Sequence, residues 1–171
     1  MTRRLFVLVA VAVISVGATY SFANHNPGHK VQSGGKTTAT VVATGEDVFT
    51  VQTNNWTTIP GATARVKVPD GGRALILARF TSEIVCHKPI LDHCAMRIQV
   101  GQKSAHPASG RDFHIDSHYA GETYESEKGR AFDRSLEVGP GTYRVRVQGA
   151  AMGGVWLKVD DWSLTVKRAP V

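Results

Sequence analysis

The chain reads as an all-β protein, an antiparallel sandwich or barrel with a disulfide-stapled hairpin. Three observations predict it. Apolar and polar residues alternate with period two in one stretch after another between Asp47 and Lys167, as in strands with one face on a core and the other in water. Clusters of Gly, Pro, Asn and Asp recur at intervals of roughly 8 to 12 residues, the punctuation of many short strands. No window of about eleven residues or more carries a helical apolar stripe, so the crossover helices of an α/β fold are missing from the pattern.

The N-terminus is set apart from the fold. Arg3 and Arg4 precede an apolar run from Leu5 to Val16, and Ser21-Phe22-Ala23 places small residues where a signal peptidase requires them. The expectation is a signal peptide over 1–23, cleaved after Ala23, and a secreted, extracellular protein. The alternative is a retained anchor, but the apolar run is well short of the roughly 20 residues that span a bilayer as a helix. No later segment is apolar and long enough to insert into a membrane. The formal charge is +6 at pH 7, of which Arg3 and Arg4 contribute two. The remaining cations are scattered singly and alternate with valines, without the basic run of a nucleic-acid-binding segment. Such a charge permits a general attraction to anionic cell-wall polymers.

From Asn24 to Gly45 the residues are small and polar, a flexible lead-in over 24–45 that becomes a strand near Thr40 to Thr44. His25 and His29 within it read as solvated linker residues. The sandwich domain is expected over 46–171. Its candidate strands are Asp47 to Gln52, Thr63 to Val68, Ala74 to Cys86, Cys94 to Val100, Asp112 to His118, Ala131 to Val138, Thr142 to Gln148, Val155 to Asp160 and Trp162 to Lys167. Turns are expected at Ile59-Pro60-Gly61, Pro69 to Gly72, Pro107 to Gly110 and Gly139-Pro140-Gly141.

The two cysteines mark the hairpin. In an exported chain Cys86 and Cys94 favour a disulfide, and both fall in the apolar register of their strands. Pairing them directly across an antiparallel ladder also sets Ile84 against Met96, Phe80 against Val100 and Glu83 against Arg97, two apolar pairs and one ion pair. The flanking His87 and His93 raise the alternative of a metal site. Adjacent residues on a strand point to opposite faces, so one ion would not collect all four side chains.

Toward the C-terminus the faces are well marked. Tyr143, Val145 and Val147 alternate with Arg144, Arg146 and Gln148, so the arginines are expected outward. Val155, Leu157 and Val159 form one apolar set and Trp162, Leu164 and Val166 another, out of phase, which requires a turn or bulge at Asp160-Asp161. Trp162 is therefore expected buried and Trp156 exposed.

The run Leu136 to Gln148, with Val159 to Val166 after it, resembles the closing half of jelly-roll domains in secreted bacterial proteins of uncharacterised function. Those domains are similar in outline to the C1q and tumour-necrosis-factor type of sandwich. The cysteine hairpin, and Pro107 to Gly110 followed by Phe113 to Ser117, share the likeness. The resemblance spans roughly Val48 to Lys167. It implies an antiparallel β-sandwich of jelly-roll type and an exported location and carries over no catalytic residues.

Two places carry candidate chemistry. His114, Asp116 and His118 lie at spacing two on one strand face, a row chemically able to hold a divalent metal, with His106 as a further ligand; a solvated polar face is the plainer reading. No other cofactor is expected. The irregular stretch His118 to Gly129 holds Tyr119, Glu122 and Tyr124, and with an outward Trp156 these suit a glycan, because aromatic rings cover the apolar face of a sugar and carboxylates accept its hydroxyls. The simpler role for the tyrosines is to pin the loop. The chain has no Gly-x-Ser-x-Gly elbow, His-Glu-x-x-His pair or phosphate-binding glycine loop. The function expected is thus a secreted, non-catalytic binding module for a glycan or cell-surface polymer. The alternatives are a structural protein forming a homo-oligomer through a sheet face and a metal-binding protein.

Overall fold

A computed structural model describes residues 32–87, 93–108, 113–115 and 128–171, with 113–115 described by their backbone alone. The described residues form ten strands: β1 Ala39–Gly45, β2 Phe49–Val51, β3 Thr57–Val68, β4 Ala74–His87, β5 Cys94–Val100, β6 Lys103–Ser104, β7 Phe113–Ile115, β8 Lys128–Val138, β9 Gly141–Ala151 and β10 Trp156–Pro170. All pairings are antiparallel. One sheet runs β1-β10-β4-β8, with β2 also on β10, and the other runs β3-β9-β5-β6, with β7 also on β5. From β2 to β5 and again from β8 to β10 the chain switches sheets at every strand. That interleaving is the jelly roll, in which each sheet takes strands from both ends of the sequence.

The alternating strands close one core. Phe80, Ile84, Leu157, Leu164 and Val166 come from the first sheet and Met96, Ile98, Val100, Val145 and Val147 from the second, all at most 2% exposed. Trp162 lies among them and stacks on Phe80 with ring centroids 6.3 Å apart. Its cross-strand partner is Gly45, and a Cβ built on Gly45 would lie 2.5 Å from the indole. Only a residue without a side chain leaves room for the ring at that crossing.

The segments expected as Val155 to Asp160 and Trp162 to Lys167 are one strand with a bulge. The register of β10 on β4 shifts between Asp160 and Ser163, and Asp161 has φ +41°, with its N–H donating to Asp160 Oδ1 at 3.0 Å. The bulge puts the two apolar sets on one face. Asp161→Gly is expected to leave stability within about 0.5 kcal/mol of wild type, whereas Asp161→Val costs on the order of 1–2 kcal/mol, because a β-branched side chain resists positive φ. Urea unfolding of both variants measures the difference. The turn expected at Ile59-Pro60-Gly61 lies inside β3 instead. The ladder with β9 breaks between Thr58 and Thr63, and Gly61 at φ +74° lets the strand bend and continue.

The cysteines form the expected bond, but across the two sheets rather than within one hairpin. Cys86 and Cys94 are disulfide-bonded and buried, yet β4 and β5 belong to different sheets and share no ladder. Ile84 pairs with Val159 and Lys128, Phe80 with Leu164 and Phe132, and Glu83 with Asp160 and Gly129. Met96 pairs with Gly149 and Phe113, and Arg97 with Gln148. The expected register is therefore corrected. Inward-facing residues of two stacked sheets face one another just as inward-facing residues of one hairpin do, and period two does not tell them apart. The bond crosses the core as an inter-sheet staple.

Candidate functional site

Of the residues expected to carry chemistry, Tyr119, Glu122, Tyr124, Asp116 and His118 lie outside the described residues. His114 is placed by its backbone alone, opposite Ala95 at the edge of the second sheet. Among the described residues no group of three metal-ligating side chains converges. Trp156 faces outward as its register requires, but it is half-buried rather than exposed. Its ring stacks on His87 at 4.9 Å with 12° between the planes, and the two are direct partners across β10 and β4. The structure thus gives Trp156 a packing partner beside the disulfide, a contact hidden in the sequence because the two residues are far apart along the chain.

Two outer surfaces remain, one on each sheet. On the first sheet, two adjacent rows across β10, β4 and β8 make a patch: Thr165, Arg79 and Asp133 in one row, Lys167, Leu77 and Ser135 in the next. Leu77 is 39% exposed at its centre. Arg79 Nε lies 3.2 Å from Asp133 Oδ1. A wall rises at the β8 edge where His106 exchanges backbone hydrogen bonds with Ser135, at 2.7 and 2.8 Å, and carries Pro107 behind a cis peptide bond. Patch and wall enclose a groove of about 540 Å³. That volume falls within the range of small-ligand sites, and an apolar floor ringed by convergent polar groups is their usual chemistry.

The outer face of the second sheet differs in kind. Its strands β3, β5, β6, β7 and β9 contain no Asp or Glu. Arg65 and Lys67 of β3, Arg97 of β5, and Arg144 and Arg146 of β9 occupy its outward positions. Arg65 and Arg144 are exposed and stand directly opposite each other in the ladder. Neutral amides order the neighbouring guanidinium groups: Arg97 Nε donates to Gln148 Oε1 at 2.8 Å, and Arg146 Nε donates to Gln99 Oε1 at 2.9 Å. Arg146 also donates to the Gly101 carbonyl and to Gln102, each at 3.1 Å. Arg97 lies over the Trp56 ring, 4.3 Å from its centroid, a cation–π contact that holds the side chain flat.

Comparison with known proteins adds little to these surfaces. No protein-family model matches the chain, and no curated protein matches it. Among solved structures it is similar to dimeric latent PorU from Porphyromonas gingivalis, at 13% identity and a TM-score of 0.36, over 82% of this chain and 14% of that one.

Proposed function

We propose that the protein is a secreted, non-catalytic binding module whose ligand is a glycan of the cell surface or its surroundings. The observation that carries this reading is the groove on the first sheet. Leu77 and Pro107 offer apolar area for the face of a sugar ring, while Arg79, Asp133, Ser135 and Thr165 surround that area with donors and acceptors suited to hydroxyls. The N-terminal signal-peptide pattern and the disulfide support export. No helix among the described residues is long and apolar enough to cross a membrane.

A glycan array probed with the labelled protein tests the reading. Binding to at least one glycan is expected, weakened about tenfold or more by Asp133→Ala, since loss of a charged hydrogen-bond partner is worth that much. The exposed Arg79–Asp133 pair contributes at most about 1 kcal/mol to stability, so folding should survive the change. An array without a single bound glycan, or binding indifferent to Asp133→Ala and Leu77→Arg alike, sinks the assignment.

A further inference from the structure

We infer that the outer face of the β3-β9-β5 sheet is a second binding surface, separate from the groove, and that its ligand is an acidic polysaccharide. The ladder sets Arg65 against Arg144, and like charges directly opposite each other in a sheet are destabilising. Arg146 is two residues further along β9 on the same face, and Lys67 two further along β3. No carboxylate lies in any strand of this sheet to offset the charge. On the first sheet, by contrast, Arg79 meets Asp133, Arg73 meets Glu137 and Lys158 meets Asp160. Among the described residues Arg65, Lys67, Arg144 and Arg146 meet no carboxylate; such a cluster becomes favourable once an anion covers it, and guanidinium forks match carboxylate and sulfate oxygens in pairs.

The same geometry selects the kind of anion. Directly opposed positions are about 5 Å apart and alternate positions on one strand about 7 Å apart, so the charges form a flat two-dimensional array. A sugar chain bearing one acidic group per residue or two lies along such an array, with Thr63 beside the arginines for its hydroxyls. A single-stranded nucleic acid draws on exposed aromatic rings for base stacking. Among the described residues Trp56 is the outer aromatic at this face, and Arg97 covers its ring. Amide-to-guanidinium bonds hold Arg97 and Arg146 in place before any ligand arrives, which lowers the entropy lost on binding.

Binding of the full protein to immobilised polygalacturonate and dextran sulfate, with neutral dextran and single-stranded DNA as comparators, tests the inference. Expected is retention on at least one acidic polysaccharide at low salt, weakened strongly near about 0.5 M salt, where exposed charges are screened. Arg65→Gln with Arg144→Gln should lower that affinity about tenfold or more while leaving the unfolding temperature unchanged or raised, since the substitution removes a repulsive pair. Retention that survives the double substitution overturns the inference, as does failure on both acidic polymers or equal binding to neutral dextran. DNA bound as tightly as the polysaccharides replaces the ligand class and overturns it too. Asp133→Ala leaves this surface intact, so a failed groove and a failed basic face give different results.

Discussion

Trp162→Ala is expected to destabilise the protein by about 3–5 kcal/mol, the cost of emptying a large aromatic site that cannot collapse. The indole is 5% exposed, stacked on Phe80 and seated over Gly45. Gly61 approaches it from the bend in β3, where a Cβ would come within 3.1 Å. Three neighbouring strands, drawn from both sheets, therefore lose contact with one side chain at once. The unfolding temperature should drop by about 10 °C or more, and the urea midpoint should fall without a change in slope. A loss below about 1 kcal/mol would mean that the ring is not central to the packing. The complementary change, Gly45→Val, should cost a comparable amount by forcing a side chain into the indole.

The second large effect concerns the inter-sheet staple. Cys86→Ala combined with Cys94→Ala, or reduction of the wild type, is expected to lower stability by about 2–3 kcal/mol, the loop-closure entropy of a cross-link between residues eight apart. The cost falls on the association of two sheets rather than on one hairpin, because β4 and β5 share no ladder. Each cysteine keeps its own strand partners when the bond is cut: Cys86 opposite Leu157, and Cys94 opposite Ala151. Hydrogen exchange on the reduced protein should therefore show both ladders retained with faster global opening. Fast exchange confined to β4 and β5 would contradict this arrangement. Alanine suits the test because both sites are buried, and serine would place a hydroxyl in an apolar core.

The staple also explains why the basic face was hidden in the sequence. Pairing β4 with β5 sets Glu83 against Arg97 and separates that arginine from the cations of β3 and β9. In the fold Arg97 lies on the other sheet against Gln148, and Glu83 lies against Asp160. The five outward cations come from three strands, which only the β3-β9-β5 order makes neighbours. Scattered along the chain they resemble ordinary solvated residues, and the lack of a basic run argues against a charged surface. The face also bears on self-association. Stacking two copies through it sets arginine against arginine, which works against an isologous homo-oligomer on this side.

The groove was illegible for a related reason. Leu77, Asp133 and Thr165 become neighbours only because β4 lies between β8 and β10, and the wall exists only because the chain after β6 pairs with the edge of β8. Trp156 illustrates the boundary between the two kinds of information. Alternation along β10 correctly turns it away from the core, but whether an outward ring is bare depends on the facing residue of the next strand, here His87.

The sequence by itself determined the all-β class, the inward set of nearly every strand, the bulge at Asp160-Asp161, the burial of Trp162 and the existence of the disulfide. All of these follow from period two, from turn chemistry and from the need to bury apolar side chains, which act within a few residues of chain. Tertiary structure alone decided which strands share a sheet, and with that the true partners across the staple, the groove and the basic face. An inward side chain gains nearly the same burial whichever strand lies beside it, so the pairing is set by how two sheets close over one core.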